Sequence, residues 1–350
     1  MPETLVIFIL GLALSAYLAW GFRMLPGERW QFLATLPLLK DEHGQWRGLN
    51  LTYYGLLSAN AYLAAIVVLF VLLGAIGVSA WHTAALVLAT LAVCVPASAM
   101  VARLVEGKRH TFSVAGAFFV ALFVVPGAVL LFNLTAAADA GAPLPYLPVL
   151  AAAAIAYAFG EGLGRLACIS FGCCYGKRVA ELTPWAQRLF TRWHFVFEGK
   201  TKKIAYASGL EGVQVLPVQA LTAILYVATG LAGFWLFLLG RPAVVFVLTL
   251  GVTQLWRVYS ETLRADHRGG GRLSPYQWMA VIGALAAPLL VAVLPHTPPG
   301  RTSLAAGAAA LWDPAMVLLL QVVWAAIFFY TGRSAVTEAR VALRVRTDKI

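Results

Sequence analysis

The sequence predicts an all-α polytopic membrane protein of about nine transmembrane helices, and three observations carry that expectation. Of the 350 residues 61% are hydrophobic and only 12% charged, with a mean hydropathy of +0.80. A soluble domain carries about 25% charged residues, so roughly half the usual polar coat is missing. Apolar stretches long enough to cross a hydrocarbon core about 30 Å thick, roughly 20 helical residues, recur along the whole chain. Lysine and arginine crowd into alternate connections between them. This composition excludes a water-soluble enzyme, a disordered chain and a nucleic-acid-binding domain. The net charge of +11 is accounted for by basic loops facing anionic lipid. Four cysteines, two of them adjacent, do not make a secreted disulfide framework.

The expected spans run at about 4–22, 53–78, 83–102, 112–133, 145–165, 217–240, 243–262, 275–294 and 314–332. The first has only Glu3 ahead of its apolar run and Arg23 behind it, so it reads as a retained helix rather than a cleaved signal. Several others are rich in Ala, Gly and Leu, which suits close helix packing in lipid. All but four of the basic residues fall in alternate segments, the exceptions being Arg165, Arg241, Arg257 and Arg301. That pattern places the N-terminus outside and the C-terminus and the 177–215 loop in the cytoplasm. The 177–215 loop is the one long polar insertion. Trp185, Trp193, Phe195 and Phe197 suggest an amphipathic piece at the lipid surface, with a plain basic loop as the alternative. No internal repeat is visible, which weighs against an inverted-repeat transporter.

Ionisable residues in or beside spans are costly and usually functional. One group ends the fifth span, where Glu161 and Arg165 are four apart and share a helix face. Gly160, Gly162, Gly164, Gly172 and Gly176 surround them, leaving room for a backbone or a bulky ligand. The group is either a structural ion pair or an anion site. A second group ends the seventh span: Gln254, Arg257, Tyr259, Glu261 and Arg264. Guanidinium forks recognise phosphate, and a phospholipid head group is the phosphate available at that depth; a pair joining two helices is the alternative. Cys173 and Cys174 could be nucleophiles, metal ligands or small packing residues, and no His or Cys stands at zinc-like spacing from them. No metal or other cofactor is expected. His110 lies beside Arg109 at the start of the fourth span.

These residues resemble the prolipoprotein diacylglyceryl transferase family of bacterial membrane enzymes. Gly164-Arg165-Leu166 through Gly172-Cys173-Cys174-Tyr175-Gly176 is similar to the family's Gly-Arg-Ile-Gly-Asn-Phe-Ile-Asn-Gly-Glu-Leu-x-Gly signature at identical spacing. Pro217-Val218-Gln219 stands where the family has Pro-Ser-Gln. Arg257 and Glu261 match its Tyr-x3-Arg-x3-Glu helix, with Thr253 in the tyrosine's place. Leu273-Ser274-Pro275-Tyr276-Gln277-Trp278 resembles its Leu-Ser-x-Gly-Gln-Trp, and Tyr53-Tyr54-Gly55-Leu56 its early Tyr-Gly-Leu. The resemblance covers about residues 50 to 295. It implies a seven-helix transferase-like core (50–295) carrying the head loop, an extra helix and basic loop before it (1–49), and an extra helix and basic tail after it (296–350).

By that resemblance the chain sits in a bacterial cytoplasmic (inner) membrane. It transfers a diacylglyceryl group from phosphatidylglycerol to the lipobox cysteine thiol of a prolipoprotein. Arg165 and Arg257 would hold the phosphate, Glu261 would orient Arg257, and His110 would be the candidate base. Tyr54, Glu161, Cys168, Cys173, Gly176, Gln219 and Arg264 would form the substrate-binding wall. The expected partners are phosphatidylglycerol, other anionic lipids and a prolipoprotein, with no nucleic acid. Three departures bear on chemistry. Cys168 replaces the signature asparagine, Cys173 replaces its glutamate, and Ser113-Val114-Ala115-Gly116 replaces a His-Gly-Gly. The family's head loop faces the periplasm, whereas the charge count puts 177–215 in the cytoplasm. The alternatives are a phospholipid-using transferase with a different acceptor, or a non-enzymatic lipid or anion transporter.

Overall fold

In a computed structural model, which describes residues 2–107, 113–135, 143–266, 273–296 and 302–350, nine helices among the described residues are long and apolar enough to cross a membrane. They are α1 (Pro2–Met24), α2 (Tyr53–Ala75), α3 (Ala80–Glu106), α4 (Val114–Thr135), α5 (Tyr146–Phe171), α8 (Val218–Leu238), α9 (Pro242–Leu263), α10 (Pro275–Val293) and α12 (Pro314–Gly332). Three short helices, α6 (Pro184–Phe190), α7 (Lys203–Ser208) and α11 (Leu304–Ala309), lie between them. The all-α polytopic fold class is therefore met. His110, the candidate base, lies outside the described residues.

Local chemistry sets the helix ends. Thr52 and Ser79 accept hydrogen bonds from the backbone amides of Gly55 and His82, and Ser274 with Gln277 forms a full capping box before α10. Pro96, Pro126 and Pro288 sit inside α3, α4 and α10; neighbouring helices make such prolines tolerable within a membrane. The fifth span outlasts its expected end at 165 by a turn and a half. It closes at Gly172 (φ 72°), where Cys173 N–H donates to Cys168 O and Gly172 N–H to Ile169 O. That is a Schellman motif, and it folds the chain back over the helix end.

Helix α5 is the buried axis, packed between α2, α8 and α9. Its glycines serve this packing. A methyl on Gly160 would stand 3.1 Å from Ala65 Cβ, and one on Gly162 3.1 Å from Tyr226 Cβ. Of the two uses the glycine-rich stretch allowed, a close backbone or a ligand, Gly160 and Gly162 serve the first: small residues here let helices approach, as lipid-embedded packing requires.

The segments expected to be a basic loop and a basic tail instead build a sheet. Strands β1 (Phe32–Lys40), β2 (Trp46–Thr52) and β5 (Arg333–Val341) pair antiparallel in the order β1–β2–β5. Two glycines make the adjoining crossing possible, since a Cβ on Gly55 of α2 would collide with Gly332 Cα of α12. The polar insertion is a folded cap. In it β3 (Phe195–Val196) pairs with β4 (Gln214–Val215), and Phe195 and Phe197 are buried, with Phe195 against both Phe22 and Phe197. Of the four aromatics only Trp185 and Trp193 remain exposed, each about 70%, so the set does not form one amphipathic face. Lys202, fully buried, donates Nζ to Leu25 O (3.0 Å) and Ser170 O (2.7 Å), joining the ends of α1 and α5. Gln31 and Thr201 exchange two further bonds. The cap, the β1–β2 hairpin and the C-terminal strand thus share one face of the helix bundle.

Candidate active site

A cavity of about 440 Å³ opens beside α5 on that face. Its floor comes from Glu161, Arg165 and Cys168 of α5, with Val218, Gln219, Thr222 and Tyr226 of α8 and Arg257, Ser260 and Glu261 of α9. Thr52 and Tyr54, residues of α3 and α4, Cys173, Cys174, Lys203, Arg264 and Asp266, and residues between Tyr330 and Val336 build the wall.

One carboxylate organises the floor. Glu161 Oε1 accepts Nη2 of Arg257 at 2.7 Å and also Nη2 of Arg165. The Arg165 and Arg257 side chains converge as the sequence implied, and the i,i+4 pair Glu161–Arg165 is made. The assignment of Glu261 to Arg257 is corrected: Glu261 bonds Arg264 Nη1 at 3.5 Å, and Glu161 takes its place. Helical spacing favoured the local partner, but the packing of α5 on α9 brings Glu161 alongside Arg257 from another helix. Arg264 also forks onto Asp266, with Nε–Oδ1 2.7 Å and Nη2–Oδ2 2.6 Å. Sequence reasoning missed Tyr157, whose hydroxyl accepts from Arg257 at 3.3 Å.

Among the described residues six cations line this cavity, Arg103, Arg165, Lys203, Arg257, Arg264 and Arg333, against three carboxylates, Glu161, Glu261 and Asp266. The surplus is three positive charges. Burial works against the charge on Lys203, but Cys173, Cys174 and Asp266 outweigh it and hold its pKa above the usual lysine range. Arg165 Nε and Arg257 Nε are buried donors with no hydrogen-bond partner; such orphans cost free energy until an acceptor arrives.

Tyr54 and Gln219 line the wall as expected. Gln219 Nε2 donates to Cys173 O at 2.9 Å, while its Oε1 is buried without a partner. Gly176 is not on the wall. It forms a bridge with Arg264, and a side chain there would strike Leu216 O, so its expected substrate contact is replaced by close backbone approach. Gln254 bonds Tyr157 away from the cavity, and Tyr259 is 55% exposed beside Trp256. Where the resemblance implies a histidine, Ser113 caps α4 through Gly116 N–H, and Val114 and Ala115 line the cavity. Cys168, Cys173 and Cys174 all line it, and their sulfurs lie within 4.8 Å of one another. Cys173 and Cys174 therefore do have a third thiol nearby, contrary to the spacing argument, because the Schellman turn returns the chain onto Cys168. No family model matches this chain, and no curated protein matches it.

Proposed function

We propose that the cavity binds the phosphate of an anionic phospholipid and transfers the diacylglyceryl group of phosphatidylglycerol to an acceptor thiol, by resemblance that of a prolipoprotein lipobox. The observation that carries this reading is the surplus of three positive charges in a cavity walled by membrane helices, where an anion is the missing partner. Thiolate sulfur attacks the glyceryl carbon bearing the phosphate ester; a C–S bond forms, the C–O bond breaks, and the electron pair leaves on glycerol phosphate. The leaving group gains a second negative charge, and Arg165 and Arg257 stand ready to take it in a low-dielectric site. Glu161 keeps both guanidiniums from separating before lipid arrives. A bacterial inner-membrane setting belongs to the same proposal; a lipobox acceptor calls for the cap on the periplasmic face, so a cap in the cytoplasm, as the charge count has it, favours a different acceptor.

Purified protein in phosphatidylglycerol vesicles with a lipobox peptide is the test. A thioether-linked diacylglyceryl peptide and released glycerol phosphate are expected, both lost in Arg257→Gln. Released glycerol phosphate without modified peptide would mean a different acceptor. Lipid binding with neither product would leave a lipid-binding protein and overturn the transferase reading.

A further inference from the structure

We propose that Cys168, Cys173 and Cys174 form a three-thiolate site for a thiophilic d10 cation, Zn²⁺ or Cu⁺, on the cavity wall. The three sulfurs lie within 4.8 Å of one another, and the Cys173–Cys174 pair is 3.8 Å apart. Thiolates bound at about 2.3 Å around a tetrahedral ion stand roughly 3.8 Å apart. A disulfide needs about 2.0 Å, so the Cys173–Cys174 pair stands at metal-ligand spacing, and Cys168 Sγ lies within 4.8 Å of both.

The backbone builds this cluster in two steps. Cys168 lies in the last turn of α5, and the Schellman closure at Gly172 sets Cys173 N–H on Cys168 O at 3.0 Å. Cys174 then takes φ 59°, the one non-glycine residue with positive φ among those described. A left-handed conformation is disfavoured for a side chain with a Cβ, and here it belongs to the residue whose thiol completes the triangle.

Charge supports the same assignment. Three thiolates on Zn²⁺ leave one net negative charge, and on Cu⁺ two, which demands nearby cations. Arg165, Lys203 and Arg264 line the same cavity, whose surplus of three positive charges would fall to two with Zn²⁺ bound and to one with Cu⁺. With only three protein sulfurs, zinc keeps a fourth position, the arrangement of sites that exchange water for substrate. All three cysteines are on the cavity wall, so that position opens to the same space as the arginines. Gln219 Oε1, buried and unpartnered on the same wall, is an acceptor for water bound there. Resting on the transferase reading, the fourth position would also activate the acceptor, since a thiol that ligates zinc gives its proton to water and attacks as a thiolate.

The experiment measures metal, not turnover. Full-length protein in detergent, reduced and stripped with chelator, is given Zn²⁺ alone or Cu⁺ alone, desalted and assayed for metal. About one ion per chain is expected in at least one arm, falling to near zero in Cys168→Ser and Cys173→Ser and unchanged in Cys94→Ser. As a measure independent of variant folding, the bound metal should slow maleimide labelling of the wild-type protein, with chelator restoring the rate. Neither ion binding, or binding that survives both serine variants, would overturn the site and leave a cluster of hydrogen-bonded thiols. Loss of transfer with metal binding intact would count against the transferase reading alone.

Discussion

Arg257 of α9 donates to Glu161 of α5 at 2.7 Å across 96 positions of sequence, and the same oxygen holds Arg165. Two guanidiniums that would repel each other are thereby fixed side by side, each with a buried Nε still to be satisfied. The cavity floor thus holds two buried donors in place around one shared carboxylate.

Removing that carboxylate should therefore cost more than removing either arginine. Glu161→Gln leaves two buried positive charges facing each other, and breaking a buried pair costs about 3–5 kcal/mol. Thermal unfolding in detergent should show a drop in Tm for Glu161→Gln that phosphatidylglycerol partly reverses, because the lipid phosphate replaces the lost negative charge. An unchanged Tm would mean that Glu161 is not the organising group.

Arg257→Lys keeps the charge but loses the planar fork that reaches Glu161 and Tyr157 together. Affinity for phosphatidylglycerol vesicles should fall about tenfold, and for Arg257→Gln about a hundredfold, the scale of losing a hydrogen bond to a charged group, about 1.5–3 kcal/mol. Equal binding by wild type and Arg257→Gln in a vesicle flotation assay would remove Arg257 from the site.

Lys202 gives the fold a pH signature. Burial pushes its pKa down from 10.5 to about 8, against the opposing pull of Glu28 and Glu198. Between those values the unfolded chain holds more protons than the folded one, so stability rises with pH through that window, by at most about 3 kcal/mol. Below about pH 8 the penalty of the charged form is fully present. The difference in stability between wild type and Lys202→Met should shift in favour of wild type as the pH rises from about 7 to about 10.5 in paired denaturation profiles.

Topology can be read by labelling. Four spanning helices, α8, α9, α10 and α12, separate the cap from the C-terminal strand, so both belong on one side. Single thiols at Lys200 and Lys349, in a background without native cysteines, should react with an impermeant reagent from the same side. Reaction from opposite sides would break the helix count.

Much of this was legible in the residues. Hydropathy alone located every long helix among the described residues, and the i,i+4 rule found the Glu161–Arg165 pair. Periodicity reports local neighbours, so it assigned Glu261 to Arg257 when the partner came from another helix. The hairpin turn at Asp41 to Gly44 and the alternating pattern of Arg333–Val341 were signals for the sheet, yet basic charge masked them as loop and tail. The resemblance puts Cys168 on one wall with Cys173, but Cys168 escaped counting as a third thiol beside Cys173 and Cys174 because the expected span stopped at 165. A helix stop placed at Gly172 would have revealed the returning chain. No sequence signal marks Tyr157, a tyrosine in an apolar run.

The pairing of β5 with β2 sets a clock on the protein's own biogenesis. Residues between Tyr330 and Val336 supply one side of the cavity, and Thr52 and Tyr54 another, so the enclosure draws on stretches translated early and late. Every arginine of the floor is synthesised before the ribosome reaches β5, but the compartment that would confine a ligand is not. A nascent chain halted before residue 333 would lack Arg333, Ser334, Ala335 and Val336 from that wall. Completion of translation is thus the event that completes the enclosure.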